Sequence, residues 1–106
     1  MSLKWPSKDP DETVDYSVDW SRYLNNQANI DTVSWFVNDS SGVKTRIEAG
    51  EIVNNLQLVG VSNTNTVATA NFGLGTNNTK YKLHCQIVDT SGTIAERSVT
   101  LPIKEY

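Results

Sequence analysis

The sequence predicts an all-β domain, an antiparallel β-sandwich of short strands, on three observations. Apolar residues recur at every second position in several separate stretches, which is strand periodicity. Polar clusters, Asn54-Asn55, Asn63-Thr64-Asn65-Thr66 and Thr76-Asn77-Asn78-Thr79, punctuate the chain as turns and leave only short segments between them. Seven or so strands at such regular spacing are the pattern of a sandwich. At 106 residues the chain has room for one domain with a single core.

The elements follow in order. Residues 1–12 read as an extended N-terminal arm, held straight by Pro6 and Pro10 and too polar to bury itself unaided. From residue 13 the sandwich domain runs to residue 106. Val14, Tyr16, Val18 and Trp20 alternate with Asp15, Ser17 and Asp19, which makes a half-buried strand with one acidic side. Asp19 to Gln27 is the one place for a helical turn or two, with Trp20, Tyr23 and Leu24 on one side and Asn25-Asn26 as the stop.

Val33, Trp35 and Val37 alternate in a second strand, and Asn38-Asp39-Ser40-Ser41-Gly42 reverses the chain. Val43 to Ile47 makes a short third strand, the region of Gly50 and Asn54-Asn55 stays open, and Leu56 to Val61 pairs with Thr66 to Phe72 around an Asn/Thr turn. The C-terminal third is a long hairpin. Tyr81, Leu83, Cys85 and Ile87 alternate with Lys80, Lys82, His84 and Gln86, Asp89-Thr90-Ser91-Gly92 turns the chain, and Val99, Leu101 and Ile103 alternate again. Pro102 cannot donate a ladder hydrogen bond, so its nitrogen side is expected to face solvent, or the strand to end there.

Charge and composition remove several function classes. Net charge is -3 and the nine Lys and Arg residues are scattered along the chain, so neither nucleic acid nor a membrane surface is an expected partner. No run of about twenty apolar residues is present, and the N-terminus lacks the apolar core of a secretion signal. A lone Cys85 excludes an intrachain disulfide, and its register between Leu83 and Ile87 makes it a buried hydrophobe rather than a reactive thiol. His84 sits on the opposite, polar side of the same strand and reads as a surface histidine without convergent catalytic partners. No enzyme activity and no cofactor are expected. Asp9, Asp11, Asp15 and Asp19 invite a calcium reading, but the glycine and terminal glutamate of a calcium loop are missing, so no metal is expected.

The acidic arm carries the functional expectation. Five of the twelve acidic residues lie between Asp9 and Asp19. Trp20 and Trp35 fall in strand patterns and belong to the core, whereas Trp5 stands outside any pattern and reads equally as an anchor for another protein or as a ring folded back on its own domain. The expected partner-binding residues are therefore Trp5, Pro6, Lys8, Asp9, Asp11 and Glu12.

Two resemblances add to this. The segment from Tyr81 to Asp89, its Ser-Gly turn and the Ser98 to Ile103 strand resemble the last two strands of immunoglobulin-like domains, with Trp35 in the place of the inter-sheet aromatic. The run Trp5-Pro6-x-Lys8-Asp9-Pro10-Asp11-Glu12-x-x-Asp15-Tyr16-x-x-Asp19-Trp20 resembles the start of a family of short structural proteins of tailed bacteriophages, and the likeness continues to Arg97-Ser98-Val99-Thr100-Leu101-Pro102. That resemblance implies a component of the virion. The leading expectation is a decoration or cement protein on the capsid surface, assembled in the host cytoplasm, whose arm grips the major capsid protein and neighbouring copies of itself as a homo-oligomer. Deleting the arm would then release the protein from the particle and leave the domain folded. The alternatives are a tail or neck structural protein, or a surface glycan-binding module whose Asn/Thr-rich loops would use Phe72 as their nearby aromatic.

Overall fold

A computed structural model describes residues 3–105. They form nine strands and one helical turn: β1 (Leu3–Lys4), β2 (Val14–Asp19), α1 (Ser21–Leu24), β3 (Ile30–Asn38), β4 (Lys44–Ile47), β5 (Ile52–Val53), β6 (Leu56–Asn63), β7 (Val67–Leu74), β8 (Thr79–Asp89) and β9 (Ile94–Ile103). One sheet has the order β1-β9-β8-β3-β4 and the other β2-β7-β6-β5. Apart from the parallel β1–β9 pair, the named strands pair antiparallel. The order β9-β8-β3 packed on β2-β7-β6 is that of an immunoglobulin-like antiparallel β-sandwich, the expected fold.

Period-two alternation builds the core. Tyr16 and Val18 of β2, Ala68, Ala70 and Phe72 of β7, and Leu56 and Leu58 of β6 point inward from one sheet. Trp35 and Val37 of β3, Tyr81, Leu83, Cys85 and Ile87 of β8, and Val99, Leu101 and Ile103 of β9 meet them from the other. Trp20 and Trp35 are both core residues, as their register requires.

Turn chemistry explains the connections. The loops Asp39-Ser40-Ser41-Gly42-Val43 and Asp89-Thr90-Ser91-Gly92-Thr93 close with one pattern. In each, the aspartate N–H donates to the carbonyl four residues on, and the glycine N–H donates to the aspartate carbonyl. Oδ1 of each aspartate also accepts the N–H groups two and four residues ahead. Both glycines hold φ above +80°, which a side chain would oppose. The region left open by the sequence is a tight hairpin. Val53 pairs with Leu56, and Asn54 (φ 51°) and Asn55 (φ 66°) supply the two left-handed positions of a type I′ turn.

The arm is where expectation and structure part. It is extended, but it is not free: Leu3 and Lys4 pair with Val99 and Thr100, and Trp5 N–H donates to the Thr100 carbonyl at 2.9 Å. Further along, Lys8 N–H donates to the Pro102 carbonyl, and the Lys104 N–H donates to the Lys8 carbonyl. The Pro102 carbonyl therefore faces the arm, and the proline nitrogen points the same way, off the β8 ladder and toward the arm, where the sequence suggests solvent. The β9 edge and a ring-sized gap between the sheets receive this segment, and neither shows in the residues of the arm. Residues 3–12 share the core of residues 13–105; Met1 and Ser2 lie outside the described residues.

Candidate functional site

Four devices fix the arm. Trp5, 8% exposed, stacks on Tyr16 with centroids 4.7 Å apart and reaches Trp35 and Phe72 at 6.2 and 6.1 Å, so one indole touches aromatics of both sheets. Its Nε1 donates to the Ser17 carbonyl, and the Tyr16 hydroxyl donates to the Pro6 carbonyl. Lys8 is fully buried, with Nζ donating to the Leu74 carbonyl at 2.6 Å and to the Asp9 carbonyl at 2.7 Å. Asp9 to Glu12 is a hydrogen-bonded turn with Pro10 at its second position. Glu12 N–H donates to the Asp9 carbonyl, Asp11 N–H to Asp9 Oδ1, and Asp9 N–H to Glu12 Oε1. None of the turn residues has a positive φ, which makes it type I.

The six expected partner-binding residues are thus brought together, but around their own fold. Trp5 and Lys8 face inward, which corrects the picture of a projecting anchor. Burial lowers the Lys8 pKa, and Glu12, Asp9 and Asp11 oppose that shift. The arm's carboxylates therefore have a first task inside the protomer: they stabilise a buried ammonium. Pro6, Asp11 and Glu12 remain exposed.

The sequence reading missed a concentration of cations on the outer face of the β8 sheet. Lys80 and Lys82 alternate with buried Tyr81 and Leu83, and Lys44 and Arg46 stand opposite Asn38 and Phe36 on that same side. Lys82 pairs with Thr100, which in turn pairs with Lys4. Residues scattered along the chain are thereby collected by strand register. The signal was legible in each strand but needed the strand order to be summed. A shallow depression of about 330 Å³, lined by Lys4, Ser7, Lys80 and Lys104 among others, lies over Pro102.

At the centre of this face His84 is only 7% exposed, so the surface histidine expected here is covered rather than free. Its Nε2 bonds Asn38 Oδ1 at 2.9 Å, while Ser98 Oγ (3.3 Å) and Glu96 Oε2 (3.6 Å) both lie on Nδ1. A serine relay needs the hydroxyl and the carboxylate on opposite ring nitrogens, and here they share one. Burial lowers the His84 pKa first, with Lys44 and Lys82 adding to it and Glu96 opposing. Lys44 pairs with Glu96 and lies 4.5 Å above the Phe36 ring, which closes the cluster.

The other sheet presents a different surface. Residues 47–79 contain no Lys or Arg, and neither do residues 9–21. Its outer face carries Asp15, Ser17, Thr69, Asn71, Gly60 and Ser62, with Asn71 Nδ2 donating to Asp15. Phe72, the aromatic expected beside the Asn/Thr loops, is fully buried and offers no platform to a sugar. Among the described residues no group of three or more His, Cys, Asp or Glu could hold a metal ion, and no helix is long and apolar enough to cross a membrane.

The fold is a small β-sandwich whose two outer faces differ in charge. A family model described as "Podophage GP4 fiber-tail adaptor protein gp77" matches residues 8–102, and the chain belongs to that family: it is a phage structural protein. The match begins after Trp5 and Pro6, so it covers only part of the N-terminal motif. No curated protein matches the chain.

Proposed function

We propose that the protein is a tail component of the virion that helps join fibers to the tail body. The observation that carries this reading is the family match over residues 8–102, whose description is a fiber-tail adaptor. The expected role as a decoration protein bound to the major capsid protein gives way to the tail alternative, because nothing in the fold or the family favours the shell. The surface suits a connector. A cationic sheet face and an acidic, lysine-free one give a single rigid domain two chemically different contact sides, and complementary charge favours correct partners over wrong ones.

Of the predicted partner-binding residues, the exposed Pro6, Asp11 and Glu12 are the candidates for contact with a neighbour, while Trp5 and Lys8 are buried beneath them. Counting copies against the major capsid subunit in purified particles tests the assignment. A small multiple such as six or twelve fits the tail, and hundreds of copies per particle would return the protein to the shell.

A further inference from the structure

Among the described residues the two charged margins of this domain form no close ion pair, although Asp11 and Glu12 act on the buried Lys8 ammonium and Arg97 acts on Asp19. Among the described residues the salt bridges are Lys44–Glu96, Arg46–Glu48 and His84–Glu96. Lys4, Lys80, Lys82 and Lys104 make none, and all four are exposed. Asp11, Glu12, Asp15 and Asp19 make none either and are equally exposed.

Lys80 and Lys82 cannot meet Asp15 and Asp19 within a protomer. Lys80 and Lys82 point outward from the β8 sheet, opposite the buried Tyr81 and Leu83, whereas Asp15 and Asp19 point outward from the β2 sheet, opposite the buried Tyr16 and Val18. The sheets of a sandwich lie about 10 Å apart and these side chains diverge from it in opposite directions. Their dimensions agree. Lys82 and Lys4 flank Thr100 in adjacent strands, about 10 Å apart, and Lys80 lies about 7 Å along β8 from Lys82. Asp15 and Asp19 are about 13 Å apart on one side of β2, and Asp11 and Glu12 lie exposed in the turn that precedes this strand.

From this complementarity we infer that the lysine margin around Pro102 binds the Asp11–Asp19 margin of a second copy of this chain. The contact is heterologous: each copy offers its lysines to one neighbour and its carboxylates to the other, so repetition yields a closed ring or an open chain. Exposed ion pairs are individually weak, so the contact depends on several pairs engaging together and on the high local concentration inside a particle. This inference rests on the reading of a multi-copy tail component and adds the surface by which copies meet.

Carbodiimide chemistry tests it directly, because it joins a carboxylate to a lysine amine only in contact. Unlabelled and nitrogen-15-labelled protein are mixed, cross-linked and digested, and hybrid peptides identify bonds between copies. The expected result is hybrid peptides linking Lys80, Lys82, Lys4 or Lys104 to Asp11, Glu12, Asp15 or Asp19, with a yield that falls at least about tenfold between about 50 mM and about 500 mM salt. Two charge-reversed proteins, K80E/K82E and D11K/D15K, each checked for a native melting curve, lose the cross-link alone and regain it when mixed with each other.

Hybrid peptides confined to other surfaces, a yield insensitive to salt, or reversed proteins that cross-link like the parent would each overturn the inference. Copy number in the particle bears on the tail assignment alone, so a tail-level copy number without these cross-links separates the two failures.

Discussion

Replacing Trp5 with alanine is the sharpest test of how the arm is used. The ring is 8% exposed, stacks on Tyr16 at 4.7 Å and contacts both Trp35 and Phe72, so its removal opens a cavity between the sheets that flanking side chains cannot close. Core Trp→Ala substitutions cost about 3–5 kcal/mol. The stack on Tyr16 contributes about 1 kcal/mol of this beyond area burial. Loss of the Nε1 bond to the Ser17 carbonyl adds about 1 kcal/mol, softened because β2 is an edge strand that water can reach. About 4 kcal/mol is therefore expected, a large share of the 5–15 kcal/mol typical of a domain. For a chain of this size that lowers Tm by about 15–25 °C. Urea unfolding followed by tryptophan fluorescence and near-ultraviolet circular dichroism gives the number, and W5F, which keeps a ring but loses the N–H, should cost less. A W5A protein within about 1 kcal/mol of the parent would refute the docked arm. By the same reasoning, deleting residues 1–12 unfolds or strongly destabilises the domain, the reverse of what a projecting arm implies.

Three further outcomes follow from buried groups. Lys8→Met removes the ammonium from the Leu74 and Asp9 carbonyls and should cost about 1–2 kcal/mol at neutral pH, because lost charged hydrogen bonds are partly offset by the desolvation relieved. Since the folded Lys8 pKa lies below 10.5, the unfolded chain binds more protons as that value is approached, so stability of the parent relative to K8M must rise with pH up to 10.5; a flat or falling difference contradicts the burial. His84, the single histidine, should titrate by proton NMR below 6.5. Its contribution to stability should decline as pH falls from 6.5 through the folded midpoint and be absent in H84Q; a midpoint above 6.5 would mean that Glu96 outweighs burial. Cys85 is fully buried and its thiol is pushed up to about 12, so a disulfide reagent at pH 8 should label it only in denaturant; rapid labelling of the native protein would contradict the packing.

Much of the fold was legible because each strand states its own register. Val14 to Trp20, Val33 to Val37 and Tyr81 to Ile87 place one side inward without reference to anything distant, and the Asp-x-Ser-Gly loops announce both turns. The Asn54-Asn55 hairpin was less readable, since two asparagines at positive φ close a turn between strands of very different length. The arm was misread for a specific reason. Its backbone partners, Val99 to Ile103, lie far away in sequence, and a polar segment of two prolines has no periodicity to reveal them or the space beside Tyr16. Lys8 was unreadable in the same sense: a lysine is buried only when carbonyls such as that of Leu74 turn toward it, and Leu74 does so at φ 58° just before Gly75. The cationic face lay in the sequence as separate alternations on β4 and β8, and only the strand order brought them side by side.

The pairing of β1 with β9 bears on how the molecule reaches its native state. Leu3 and Val99 are separated by nearly the whole chain, so their meeting carries a large loop-closure entropy and favours late formation. Until then the gap later filled by Trp5 stays open, and the β9 margin presents unpaired amides to any passing strand. Such an interval is when a neighbouring copy's arm could dock in place of the chain's own, so correct maturation depends on the tether winning a race against exchange.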